Sequence, residues 1–325
     1  IWIEPEMVNP QSELYEQHPD WILRLPNRPE NYQRHQLVLD MSNPAVQDFV
    51  FGVIDSLMTD YPGIAYFKWD CNRTFTDAYS VYLGKNQSHL YIEYVEGLYK
   101  VFKRMRKKYP HLPMMLCSGG GGRVDYGALP YFTEFWPSDN TNPMDRIFIQ
   151  WGYSYFFPAL ATCNHVTESG DYSMKFKIDV AMMGKMGFDM RFDALKPAEI
   201  AFVQRALKTY KRIDDIIWFG DLYRLISPYK GSRAALMYVT EDKHRAVVFT
   251  YRLHKKLSDD YTPVRLNGLD PDQKYKIEEI NLPAGKKSAC PESGHTFTGA
   301  FLMSEGIHPT LESDGTSAVF ELIAE

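Results

Sequence analysis

The sequence predicts an α/β protein: a TIM-type (β/α)8 barrel, incomplete at its N-terminal side, followed by a small antiparallel β-sandwich. Three observations predict it. Up to about residue 215, short apolar runs alternate with longer amphipathic stretches, the pattern of βα units around a parallel sheet. Polar residues follow the apolar runs one after another, and in a parallel barrel the C-terminal ends of the strands carry the site. Beyond Gly220 the runs shorten, and turn pairs such as Asn267-Gly268 and Asp314-Gly315 separate them, as in hairpins.

In chain order, the spacing predicts strands over 2–4, 65–69, 114–117, 133–136, 159–162 and 188–191. An eight-stranded barrel with these strands lacks its first two. Helices are expected over 44–59, where Asn43 precedes Pro44 as an N-cap, and over 90–108, whose basic end suits a helix C-terminus. Two more are expected over 171–186 and, after Lys196 and Pro197, over 198–213. Antiparallel strands are expected over 236–239, 245–251, 264–266, 274–280 and 318–323. The division that follows is a barrel over 1–218 and a β-domain over 219–325.

At 325 residues the chain is long for one core, and its 45% hydrophobic and 24% charged residues allow a sizeable one to be buried. The formal net charge of −5 and the lack of a long Lys/Arg block exclude the electrostatic footprint of a nucleic-acid binder. No stretch approaches the roughly 18 apolar residues of a membrane-crossing helix. Cys71, Cys117, Cys163 and Cys290 form no CxxC pair, so neither a zinc knuckle nor a disulfide scaffold is suggested, and a reducing, cytoplasmic setting is expected. No His/Asp/Glu cluster has metal spacing, and no cofactor is expected. The chain opens on Ile1 directly into a strand-like IWIEPE, which reads as a fragment of a longer protein.

Three segments carry the chemistry. In YFKWDCNR (66–73), Asp70 stands where the strand ends, and Lys68, two residues earlier, points to the same face. A carboxylate beside a cation at a barrel mouth is the environment of a glycosidase nucleophile, although a strand-end Asp can equally cap the following turn. CSGGGGR (117–123) is a Gly-rich turn whose backbone can approach a ligand; it lacks the GxxxxGK[ST] pattern of a nucleotide cradle. FWPSDNTNPMDR (135–146) supplies Asp139, a second acid after another strand, and two such acids can divide nucleophile and acid/base roles. Glu4 and Glu6, around Pro5, rank as positioning groups, and His165 as a hydrogen-bonded structural residue. Aromatic residues, 14% of the chain, flank many of these carboxylates, which suits sugars, whose C–H faces stack while their hydroxyls need directional partners.

Taken together, WIEPEMV, HQLVLD, FKWDCNR, CSGGGGR, WPSDNTNPMDR with IQWG, and NHVT resemble the family 36 glycoside hydrolases, the α-galactosidases or melibiases. The resemblance spans roughly residues 1–215 and agrees in kind beyond, since such enzymes end in a small β-domain. It implies that the Asp of Lys-Trp-Asp-x-Asn, Asp70, is the nucleophile, and that the Asp of Ser-Asp-x-Thr, Asp139, is the acid/base. It also implies galactose contacts at Trp2, Arg34, Lys68, Asn72, Cys117, Gly119 and Gly120. Asn142 stands where the family usually has a further Asp, and the family's Asp-Asp-Gly-Trp stretch does not occur in this chain. The expected activity is retaining hydrolysis of terminal α-galactosides such as raffinose-type oligosaccharides. Two alternatives are a galactosyltransferase similar to the raffinose synthases and a galactoside-binding fragment without turnover. A homo-oligomeric full-length protein is a further expectation.

Overall fold

The computed structural model describes residues 1–255 and 262–325, in two units, Ile1–Trp136 and Pro137–Glu325. In the first, strands β1 (Trp2–Ile3), β4 (Phe67–Trp69), β5 (Met114–Leu116) and β6 (Glu134–Phe135) form a parallel sheet in that order. A short antiparallel pair, β2 (Met7–Val8) and β3 (Leu37–Val38), and helix α1 (Glu13–Gln17) lie between β1 and the next long helix in sequence. That helix, α2 (Pro44–Asp60), begins as the sequence predicts: Asn43 Oδ1 accepts from the Ala45 amide at 3.0 Å, and Pro44 occupies the first turn.

Helix α3 (Leu90–Lys108) connects β4 to β5 and has the predicted bounds. Its buried residues Leu90, Tyr94, Leu98, Val101, Phe102 and Met105 recur at three- and four-residue steps and form one face. Gly97 lies on that face. A Cβ there would sit 1.9 Å from the Met41 carbonyl oxygen, so only glycine allows α3 to come so close to the turn before α2. Trp69 and Phe132 both meet Phe102 edge-on at 4.8 Å, joining the sheet to the helix layer.

In the second unit α4 (Pro143–Tyr153) is followed by parallel strands β7 (Cys163–Val166) and β8 (Lys185–Phe188), joined through α5 (Met174–Ala181). Each unit by itself thus contains parallel βα strands, the kind of strand an incomplete (β/α) barrel is built from. The strands expected over 159–162 and 188–191 are displaced. Ala159–Ala161 is a 3-10 turn after Pro158, and the strands fall at β7 and β8 instead. An apolar run of four residues has too short a period to separate a turn from a strand, and only pairing decides. Helix α6 (Pro197–Phe219) runs past the expected 213 and stops at Gly220. There a Cβ would lie 2.4 Å from the Ile216 carbonyl oxygen.

The expected antiparallel region is a six-stranded sheet. Its strands are β9 (Asp221–Ile226), β10 (Arg233–Val239), β11 (Arg245–Arg252), β12 (Lys274–Ile280), β13 (Thr296–Thr298) and β14 (Thr316–Ala324), in the order β13-β12-β14-β11-β10-β9. The segment 264–266 forms only an isolated bridge, Val264 to Ile307. Both faces of this single sheet are buried. Leu236, Tyr238, Val247, Phe249 and Tyr251 share a core with α5 and α6, while Met237, Val239, Val248 and Phe320 share another with Leu302 of α7 (Gly299–Ser304). Alternate residues therefore face opposite layers, and β10 and β11 read as continuous apolar runs.

One buried acid pins α5 to this sheet. Asp179 is wholly buried, and its carboxylate accepts from Lys175 Nζ at 2.5 Å, Asn281 Nδ2 at 2.5 Å and Ser317 Oγ at 2.7 Å. Asp179→Ala removes the acceptor shared by all three donors and leaves Lys175 without its anion. A loss of about 3 kcal/mol is expected, read as a lower urea midpoint at unchanged slope.

Candidate active site

Strand β4 alternates as its sequence requires. Phe67 and Trp69 are buried in the core, and Lys68 and Asp70 project to the other face. Asp70 is only 2% exposed, and each carboxylate oxygen is held. Oδ1 accepts from the Cys71 amide at 2.8 Å, and Oδ2 accepts from Trp2 Nε1 at 3.1 Å, with Lys68 Nζ at 4.0 Å. The Lys68 ammonium lies 5.2 Å from the centre of the Trp2 ring and 5.7 Å from that of Trp136. Two aromatic faces and one carboxylate therefore fix this cation. An acid so held is pre-positioned, since its geometry does not wait for substrate.

The loops after β1, β4 and β5 are tied to one another beside Asp70. Glu4 accepts from Asn72 Nδ2, and from Gln36 Nε2 at 2.5 Å, with Arg34 at 3.8 Å. Asn72 Oδ1 in turn accepts from the Gly119 amide at 2.8 Å, and Ser118 Oγ donates to the Cys71 carbonyl at 2.8 Å. Gly119 and Gly120 have φ of +55° and +90°, a left-handed turn that favours glycine and brings the backbone against Asn72. Arg34 and His35 are also left-handed. The buried Arg73 steadies their loop through the Gln36 carbonyl at 2.9 Å and the Asn31 carbonyl.

Glu6 has another task. It is wholly buried and accepts from Trp69 Nε1 at 2.8 Å, Tyr94 OH at 2.6 Å and both terminal nitrogens of Arg123 at 2.9 and 2.8 Å. With its oxygens so occupied it anchors the Gly-rich loop, and its partners leave no place for a substrate proton. Burial pushes the Cys117 thiol up to about 12, and the charge of Asp70 adds to the shift. Cys117 is therefore a buried neutral thiol and not a thiolate nucleophile. Among the described residues no group of His, Cys, Asp and Glu is arranged to hold a metal ion, and no helix is long and apolar enough to cross a membrane.

The first unit thus brings together Trp2, Lys68, Asp70, Asn72, Cys117, Gly119 and Gly120, and reaches Arg34 through Glu4. Asp139 belongs to the second unit and is exposed. Its segment is organised by its neighbours: Asn140 Nδ2 donates to Asp145 at 2.9 Å, the Asn142 amide to Asn140 Oδ1 at 3.0 Å, and Asn142 caps α4 through the Met144 amide at 3.0 Å. His165 Nε2 lies 3.2 Å from Cys163 Sγ. Sequence reasoning did not find the Glu4–Asn72–Gly119 chain, the Arg123 clamp on Glu6 or the stacking of Lys68 on Trp136. A carboxylate two residues from another across Pro5 was the available signal, and it carried no partner.

Comparison with known proteins supplies the context. A family model described as Melibiase matches residues 1–220, and one described as Glycosyl hydrolase family 36 C-terminal domain matches residues 233–322. Alpha-galactosidase AgaA of Geobacillus stearothermophilus is 38% identical over 292 residues, which are 88% of this chain and 40% of that protein. Alpha-galactosidase 1 of Pediococcus pentosaceus is 37% identical over 332 residues, 100% of this chain and 43% of that protein. The chain therefore spans less than half the length of these relatives. Among solved structures, a Geobacillus stearothermophilus AgaA variant in complex with raffinose has a TM-score of 0.92 at 36% identity, covering 100% of this chain and 44% of that one. Another AgaA variant, in complex with stachyose, has a TM-score of 0.91 at 35% identity, with the same coverage.

Proposed function

Because this chain belongs to the melibiase family, glycoside hydrolase family 36, we propose that it carries the catalytic machinery of a retaining α-galactosidase releasing terminal α-linked galactose from galacto-oligosaccharides. Residues 1–218 supply the barrel part and 219–325 the C-terminal domain. The observation that carries the reading is the Asp70 carboxylate, buried at a strand end, held by Trp2, Lys68 and the Cys71 amide, and flanked by Asn72 and Gly119. The raffinose and stachyose bound to AgaA variants support galacto-oligosaccharides as the substrate class.

The chemistry is a double displacement. Asp139, as the acid, gives its proton to the glycosidic oxygen as the C1–O bond breaks. The Asp70 carboxylate attacks C1 from the opposite face, and a galactosyl ester forms. Asp139, now a carboxylate, takes a proton from water, whose oxygen attacks C1 and releases Asp70. Two inversions leave the α configuration. Trp2 and Lys68 hold the Asp70 carboxylate in its attacking position throughout, and Lys68, Asn72, Cys117 and the glycine backbone supply hydroxyl contacts. Cys71, Cys117 and Cys290 are free and buried thiols, which supports a reducing compartment, the cytoplasm.

The direct test is the anomer first released. Proton NMR of raffinose hydrolysis by the full-length protein should show α-galactose at the earliest times, with β-galactose appearing only by mutarotation. β-Galactose formed first would refute retention. Galactosyl transfer to added sucrose in place of water would indicate the transferase alternative.

A further inference from the structure

The segment that carries Asp139 is held from below by one buried cation. Arg146, on the first turn of α4, is 2% exposed, and its guanidinium spreads over three elements. Nη1 donates to the Ser138 carbonyl at 3.1 Å, in the peptide that joins Ser138 to Asp139. Nη2 donates to the Cys163 carbonyl at 2.9 Å and to Asn164 Oδ1 at 2.8 Å, both on β7, and Nε donates to Gln150 Oε1 at 3.2 Å. The Arg146 amide also bonds the Asn142 carbonyl at 2.9 Å, so the residue grips both ends of the 138–142 loop. A planar fork with five donors can serve a strand, a helix and a loop at once, whereas an ammonium cannot hold the same directions.

Burying that cation is costly. Burial pulls the guanidinium down to about 10, and its bonds reach the Ser138 and Cys163 carbonyls and the Asn164 side-chain oxygen. A buried charge bonded to loop and strand backbone is a poor choice for stability alone, since an apolar side chain of similar size would pack without desolvation. It suits a place where the direction of one peptide has to be kept.

We propose that Arg146 is a positioning residue for proton transfer: by clamping the Ser138 carbonyl to β7 it fixes the direction in which Asp139 presents its carboxyl group to the leaving oxygen. The inference rests on the reading of Asp139 as acid/base. Its consequence for the first step, which kcat/KM reports, is specific, because a misdirected acid slows only those bond cleavages that need the acid. A poor leaving group such as the sugar of raffinose needs protonation, and a p-nitrophenolate leaves nearly without it.

The test compares the two substrates in the full-length protein. Arg146→Lys keeps the charge and loses the fork; kcat/KM on raffinose should fall by about 30-fold, mostly in kcat, with p-nitrophenyl α-galactoside within about threefold. Equal losses on both substrates, or none, would overturn the proposal, since a merely structural defect lowers the amount of competent enzyme for both alike. Circular dichroism checks that the variant folds. If it does not, Asn164→Ala, which removes one acceptor from the same guanidinium, decides: the same substrate split at about fivefold supports the clamp, and its absence refutes it. Asp139→Ala is run beside them. If it shows the split and the Arg146 and Asn164 variants do not, the clamp alone fails; if Asp139→Ala shows none, the acid/base reading fails and the clamp with it.

Discussion

Asp70→Ala is expected to abolish turnover in the full-length protein, with kcat falling by about 10⁴-fold or more on every α-galactoside, including activated aryl ones. The size follows from the site. Asp70 is held on both oxygens by Cys71, Trp2 and Lys68, so it enters the reaction already oriented, and water placed at random in the space of its side chain recovers none of that. The variant also leaves a small void on the face from which C1 is attacked. Azide should enter it and restore part of the activity on an aryl galactoside, giving the β-galactosyl azide, because one displacement inverts where two retain. Near wild-type rates in Asp70→Ala, or an α-galactosyl azide, would remove Asp70 from the nucleophile role.

For Asp139 the expected loss depends on the substrate. Asp139→Ala should lower kcat/KM on raffinose by about 10³-fold and on p-nitrophenyl α-galactoside by less than about tenfold in the first step, within the 10²–10⁴ that a positioned acid contributes. The second step also loses its base. The galactosyl ester should therefore accumulate on the aryl substrate, visible as a burst of p-nitrophenolate followed by a slow steady rate. Azide should relieve that slow phase with net retention, the opposite stereochemistry to the Asp70 variant, because here the ester forms first. Equal losses on both substrates and no burst would exclude Asp139 as the acid/base. The pair of azide products thus separates the two roles.

The sequence by itself determined the local features of this protein. The alternation in Tyr66–Asp70 put Lys68 and Asp70 on one face, Asn43 and Pro44 announced α2, and the basic run 106–108 marked the end of α3, because each of these depends on residues within a turn or two of one another. The βα rhythm and the motif set also sufficed for the family. Where the period was too short, as over 159–162, the element was misplaced by a few residues, since pairing with β8 and not propensity defines β7. Tertiary structure alone decided which polar groups meet. Glu6 and Arg123 are 117 residues apart and Glu4 and Asn72 are 68 apart, and nothing in either local pattern names its partner. Glu4 and Glu6 look alike in sequence, yet one orients the Asn72 amide beside Asp70 and the other is locked by Trp69, Tyr94 and Arg123. That difference arises because hydrogen bonds to a buried carboxylate are fixed by whichever donors the packed strands and helices bring within about 3 Å, a property of the assembled chain and of no segment of it.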